Sequence, residues 1–189
     1  MKPKVLMILC ATALLMAAGA GAQVDFLGLT DTLYADIAKV NDFNWTITIS
    51  FSNDEAVAGL TVPLKLSAGM ARIVADSAIY AGGRAEKFAY KGFRSDSALG
   101  CVLLGMIANM GPTQNQLIAG KGRLATIFVS SRDRKPIEKL TVDTTTLSPN
   151  NSLMAVADLS AMKALQDTIP AHMSKKREII PAFLARQVK

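Results

Sequence analysis

The residues able to do chemistry are few and scattered. His172, in Ile169-Pro170-Ala171-His172, is the sole histidine, and one imidazole with no serine, cysteine or carboxylate motif at a recognisable spacing makes neither a nucleophilic triad nor a metal centre. Gly120-Lys121-Gly122-Arg123 carries the glycines and the lysine of a phosphate cradle, but that pattern needs Ser or Thr after the Lys at the start of a helix. Here Gly-Arg leads into a strand-like run, so the segment reads as a turn. Carboxylates remain, because glycoside hydrolysis requires only two of them several ångströms apart. The candidates Asp54, Glu55, Asp76, Glu86, Asp96 and Asp143 fall in expected turns or on polar strand faces, where solvated charge is the ordinary reading. No catalytic, cofactor-binding or metal-ligating set is predicted.

Binding asks for less than catalysis. Sugars and protein partners both settle on exposed aromatic rings with hydrogen-bonding groups beside them. Around Gly82-Gly83 stand Tyr80, Phe88, Tyr90 and Phe93, with Arg84, Lys87, Lys91 and Arg94 nearby. The predicted ligand-binding residues are therefore Tyr80, Arg84, Phe88, Tyr90 and Phe93. The alternation of Phe88 and Tyr90 also suits a core-facing strand, and Trp45 begins the apolar face of its own strand.

Composition says where such a surface would work. The chain has 189 residues, a formal charge of +6 and 50% hydrophobic residues. Val5 to Ala22 holds no charge and inflates that fraction. Lys2 and Lys4, the apolar run Val5 to Ala18, and the triplets Ala18-Gly19-Ala20 and Ala20-Gly21-Ala22 compose a secretory signal, with cleavage expected before Gln23. The run is short for a membrane span, so the mature chain is expected to carry no transmembrane segment. Loss of residues 1–22 removes two of the 21 basic residues and none of the 15 acidic ones, leaving +4. That mild, scattered charge, with no binding motif, argues against nucleic acid. Only Cys101 survives cleavage, so no internal disulfide staples the domain and its core must hold it.

The elements that must position these residues are strands. From Asn44 to Ser52, Trp45, Ile47, Ile49 and Phe51 alternate with Asn, Thr and Ser, the signature of a half-buried strand. Leu60, Val62, Leu64 and Leu66 resume the pattern, with Pro63 pointing to an edge strand or a bulge. A strand over about Arg72 to Tyr80 leads to Ala81-Gly82-Gly83-Arg84, a hairpin turn by its paired glycines, with Phe88 to Phe93 returning. Cys101 to Met110 is apolar on both faces, as in a central strand buried on both sides or a buried helix, and Gly100, Gly111 and Pro112 around it with Gly105 inside favour the strand. Gly122 to Ser131, Ile137 to Thr145 and Ser152 to Ala157 complete the set. Seven or more short strands without alternating helices predict an all-β antiparallel sandwich. One or two short helices are allowed: Leu159 to Gln166, and Leu29 to Val40, which reads equally as a strand. Lys175-Lys176-Arg177 then precedes an apolar Ile179 to Leu184, read as a basic turn and a closing strand. The expected division is 1–22 signal, 23–43 leader, 44–157 sandwich, and 158–189 helix and basic tail.

Three stretches resemble a known family. Val57-Ala58-Gly59-Leu60-Thr61-Val62-Pro63-Leu64, Gly100-Cys101-Val102-Leu103-Leu104-Gly105-Met106-Ile107 and, most specifically, Gly120-Lys121-Gly122-Arg123-Leu124-Ala125-Thr126-Ile127-Phe128-Val129 are similar to strands of the cohesin-type domain. Residues 44 to 157 thus resemble a divergent cohesin, the jelly-roll-like β-sandwich of secreted bacterial proteins and of scaffolds of cellulose-degrading complexes. Ser67-Ala68-Gly69-Met70 stands where that family usually shows an Asp-Pro turn and a following Leu. The resemblance implies an exported, non-enzymatic module that binds a protein or polysaccharide partner without a cofactor. The alternatives are a carbohydrate-active hydrolase using a carboxylate pair, and a structural envelope or extracellular component.

Overall fold

The most regular alternation in the sequence becomes strand β2 (Asn44–Asn53), with Trp45, Ile47, Ile49 and Phe51 buried and the Thr and Ser positions half-exposed. The computed structural model describes residues 28–108, 116–158 and 178–188. Within them, β1 (Thr32–Lys39), β2, β3 (Val57–Ser67), β4 (Ile73–Ile79), β5 (Tyr90–Asp96), β6 (Cys101–Ile107), β7 (Gly120–Ser131), β8 (Thr141–Thr144), β9 (Met154–Ala157), β10 (Glu178–Ile179) and β11 (Ala182–Val188) form two sheets. Sheet one runs β11-β1-β2-β7-β4; sheet two runs β10-β9-β3-β6-β5, with β8 also pairing β3. Every named pairing is antiparallel except β1 with β11, which is parallel. The predicted all-β sandwich is the observed one.

Packing between the sheets holds this arrangement. Leu33, Ile47, Ile49, Phe51 and Ile127 from sheet one share one buried cluster with Leu64 and Leu104 from sheet two. Each such side chain contributes about 1.5–3 kcal/mol on burial, and Cys101 is a free, buried thiol. Apolar burial therefore takes the place of a staple.

Of the two readings of residues 29–40, the strand is the observed one. Leu33, Ala35 and Ile37 are buried with period two, and Thr32, Tyr34 and Asp36 face outward. Among the described residues there is no helix. The signal segment, the helix expected at 159–166, His172 and the run 175–177 lie outside the described residues.

Three local features differ from expectation for definable reasons. Pro63 lies in a central strand, not at an edge. Its carbonyl accepts from Thr145 N, so its missing N–H faces the side where β3 changes partner, from Met154 of β9 opposite Thr61 to Thr144 of β8 opposite Leu64. The strand has no ladder bond to lose there. Gly120–Arg123 is no separate turn but the start of β7, opposite the last residues of β2. Past it, the register slips between Ile49 and Ser50, leaving Leu124 as an extra residue; Leu124 and Ala125 are both buried, as a bulge permits.

The third correction is the hairpin expected at Gly82-Gly83. Strands β4 and β5 do not pair: β4 edges sheet one and β5 edges sheet two. The intervening segment crosses from one sheet to the other and drops Ala85 and Phe88 into the core. Gly82 takes the positive φ of the turn (67°), whereas Gly83 is required by contact, since a Cβ there would stand 2.5 Å from the Leu124 carbonyl oxygen.

Gly83→Ala should therefore cost about 3 kcal/mol, the upper part of the overpacking range. Gly69→Ala, with φ at 62° but nothing within 4 Å of the new Cβ, should cost only about 1 kcal/mol. Urea unfolding of the two variants measures the difference, and equal losses would show that the crossing is not clamped against the β7 bulge.

Candidate functional site

The crossing from β4 to β5 distributes the predicted site residues. Arg84 N donates to Arg123 O at 2.7 Å, which aims the side chain along the ends of β2 and β7. There its Nη1 donates to Phe51 O (2.9 Å), Asn53 Oδ1 (2.9 Å) and Gly120 O (2.8 Å), and its Nη2 to Ile118 O. Gly122 leaves the room for this, as a Cβ there would stand 3.0 Å from Arg84 Cδ. Burial lowers the Arg84 pKa, and the nearby Asp31 carboxylate opposes that shift. The guanidinium is thus committed to the chain's own oxygens.

Phe88 is only 3% exposed and belongs to the core. Phe93, opposite Leu104, packs partly buried against that cluster. Tyr80 is half-buried and donates from its hydroxyl to Gly92 O at 2.8 Å. Gly92 lies on β5 opposite Gly105, so this bond ties the chain just past β4 to the edge strand of sheet two. Burial of Tyr80, and secondly the nearby Tyr90, push its pKa up to about 12.

Tyr90 differs from the other four. It faces outward from sheet two, 49% exposed. A Cβ on Gly92 would stand 2.5 Å from the Tyr90 hydroxyl and 3.0 Å from its Cε1, and one on Gly105 would stand 3.8 Å from Cε1. The ring thus lies across two glycines that face each other in register. Ile107, opposite Tyr90 and 43% exposed, and the half-buried Leu103 continue an apolar surface on β6. Exposed Lys65 on β3 and Arg94 on β5 supply charge at its margins. The five predicted residues are close in space, but they serve different layers, and Tyr90 alone among them presents a broad ring to solvent.

The candidate carboxylates mostly hold turns. Glu86 accepts from Gly82 N, Asp96 from Ala98 N and Leu99 N, and Asp143 from Thr144 N, while Asp76 occupies the bulge of β4. Only Asp54 and Glu55 converge, together with Asp31, whose part the sequence gave no reason to suspect. Carboxylate oxygens of these three lie within 4.8 Å of one another, a spacing that a hard cation can bridge. Asp31 and Glu55 are buried, at 1% and 5% exposure, so a pair drawn from them is closed to a polysaccharide chain.

No family model matches this sequence, and no curated protein matches it in sequence. Solved structures do match in fold, cohesins among them. The sixth cohesin of scaffoldin B from Acetivibrio cellulolyticus, solved with a dockerin, superposes with a TM-score of 0.53 at 9% identity, over 84% of this chain and 96% of that one. The OlpA cohesin of Clostridium thermocellum, solved as a type I cohesin–dockerin complex, gives 0.51 at 8% identity over 85% and 100%. The OlpC cohesin complex of the same organism gives 0.51 at 8% identity over 88% and 100%. The chain has a divergent cohesin-like fold.

Two outcomes follow from the crossing. Arg84→Met should lose about 3 kcal/mol of unfolding free energy, because carbonyls of three segments lose a charged donor; a loss under about 1 kcal/mol would show the clasp to be incidental. Tyr80 titrates higher folded than unfolded, where its pKa is ~10, so between that value and about 12 the folded chain keeps a proton the unfolded chain releases. Stability should fall with rising pH across that window. Tyr80→Phe should flatten that fall and cost about 1 kcal/mol at neutral pH, as read by unfolding at intervals between neutral and strongly alkaline pH.

Proposed function

We propose that this chain is an exported, non-enzymatic interaction module that docks a protein partner of the dockerin type on the outer face of sheet two, with Tyr90 as its anchor. The observation that carries this reading is the Tyr90 ring, spread over Gly92 and Gly105 and half open to solvent beside Ile107. A flat aromatic seated on a rigid sheet contributes area at small entropic cost, which is why such residues serve as hot spots. The other four predicted residues serve from beneath: Phe88 and Phe93 pack under β5, Tyr80 bonds it through the Gly92 carbonyl, and Arg84 fixes the crossing that leads into it. Support also comes from the fold shared with cohesins solved bound to dockerins. The basic start, apolar run and small-residue cleavage sites of residues 1–22 support export, and no helix among the described residues is long and apolar enough to cross a membrane.

A panel of purified dockerin modules, titrated calorimetrically against the protein, tests the reading. At least one should bind with a Kd below about 10 μM, a free energy near −7 kcal/mol. Tyr90→Ala should weaken it at least tenfold, and Gly92→Ala, which forces the ring off the sheet, should do the same. No binding across the panel, or binding indifferent to both substitutions, would overturn the assignment.

A further inference from the structure

The outer face of sheet one is built differently and does not depend on the surface just described. In register across it, Tyr34 on β1 faces Ser50 on β2, which faces Arg123 on β7; one row along, Thr32 faces Ser52, which faces Lys121. Ser50 and Ser52 are short, so Lys121 lies across β2 and sets its ammonium 4.5 Å from the centroid of the Tyr34 ring. From the opposite side Arg186 on β11 brings its guanidinium carbon to 5.8 Å from the same centroid. The negative face of one phenol thus gathers two cations that would otherwise repel each other.

The charges around this ring are not balanced. Asp36 pairs with Arg186, which neutralises it. Neither Lys121 nor Arg123 takes part in an ion pair among the described residues. Arg123 spends one nitrogen on Ala81 O at 2.9 Å, which fixes its position without cancelling its charge. Around the two cations the floor is paved with hydroxyls, from Ser50 and Ser52 to Thr48 and Thr126.

We propose that this face binds an acidic polysaccharide, with Lys121 and Arg123 receiving its carboxylates, Tyr34 holding Lys121 in place, and the Ser and Thr hydroxyls meeting the sugar hydroxyls. Two uncompensated cations fixed on a flat sheet call for an anion, and a hydroxyl floor matches a sugar chain. Nucleic acid fits less well, because the ring that would stack a base is occupied by an ammonium group. The module would then hold a polymer on one sheet and leave the other sheet free.

Calorimetric titration with polygalacturonate, and with the same polymer after full methyl esterification, tests this. The acid form should bind, its affinity should drop steeply with added salt, and esterification should weaken it at least tenfold. Lys121→Glu and the double change Lys121→Ala with Arg123→Ala should each lower affinity at least tenfold, whereas Lys121→Arg should stay within threefold of the original. Thermal unfolding confirms that the variants are folded, and Lys121→Glu at an exposed position keeps the test open if the double variant is not. Tyr90→Ala should leave polygalacturonate binding unchanged, which separates this surface from the protein-docking one. Equal binding of the esterified polymer, equally tight binding of single-stranded DNA, indifference to Lys121→Glu, or no binding at low salt would each overturn the proposal.

Discussion

Arg84 ties one end of the sandwich together. Its guanidinium donates to oxygens from the end of β2, the start of β7 and the segment ahead of β7. Asn53 extends the tie, its Nδ2 donating to the carbonyls of Glu55, Ile118 and Leu117. An open sandwich must satisfy backbone groups wherever strands stop, and groups left bare at a half-buried end cost stability. One planar side chain with five donors satisfies several at once. The position of that side chain is fixed by the Gly83 contact with the Leu124 bulge, so the bulge in β7 and the crossing between sheets are one device. Phe88, carried by the same crossing, fills the core beneath it. With Cys101 unpaired, no covalent link substitutes for this tie.

The strands were legible in the sequence wherever side chains of contrasting polarity alternate. Trp45 to Phe51 is the clearest case, whereas Cys101 to Met110, apolar on both faces, suited a buried helix as well, and its glycines pointed to the strand observed over Cys101–Ile107. Residues 29–40 read ambiguously because Ala35 is small. Its burial completes the period-two pattern of Leu33 and Ile37, yet to the eye it is neutral, and Leu29, Leu33, Ile37 and Val40 then mimic a helical spacing. Pro63 misled for a different reason. A missing donor excludes a strand interior only if both neighbouring strands are continuous, and whether β8 and β9 leave a gap is decided by residues some eighty positions away. Local signals describe a turn, but they do not say which sheet the chain enters next. That is why Gly82-Gly83 was recognisable as a turn and not as a crossing.

The clustering of the aromatic residues was legible to the same depth: those close to the glycine pair all converge around β5. What the sequence could not give was their layer. Once the segment crosses between sheets, Phe88 must turn inward as the plug and Tyr80 bonds β5. Strand parity then sends Phe93 inward and Tyr90 outward. The signal for Tyr90 was present in the spacing Tyr90-x-Gly92 and in Gly105, but those two glycines become neighbours only when β5 and β6 are paired in the observed register. Tyr34 and Lys121 were invisible for the same reason, being distant in sequence and joined across a strand of serines.

Both outward faces owe their character to missing side-chain bulk more than to the groups that remain. On sheet two, Gly92 and Gly105 let a phenol lie along the strands instead of standing off them, so its face is offered rather than its edge. On sheet one, Ser50 and Ser52 let a lysine reach over a whole strand to an aromatic ring. A larger residue at any of these four positions would leave the fold's core untouched and would change what the surface can hold. Core patterning and surface function are therefore written in alternate positions of the same strands. The inward positions are constrained by volume, the outward ones by how much room they leave, and a sequence can diverge far at the second set while the first still specifies the sandwich.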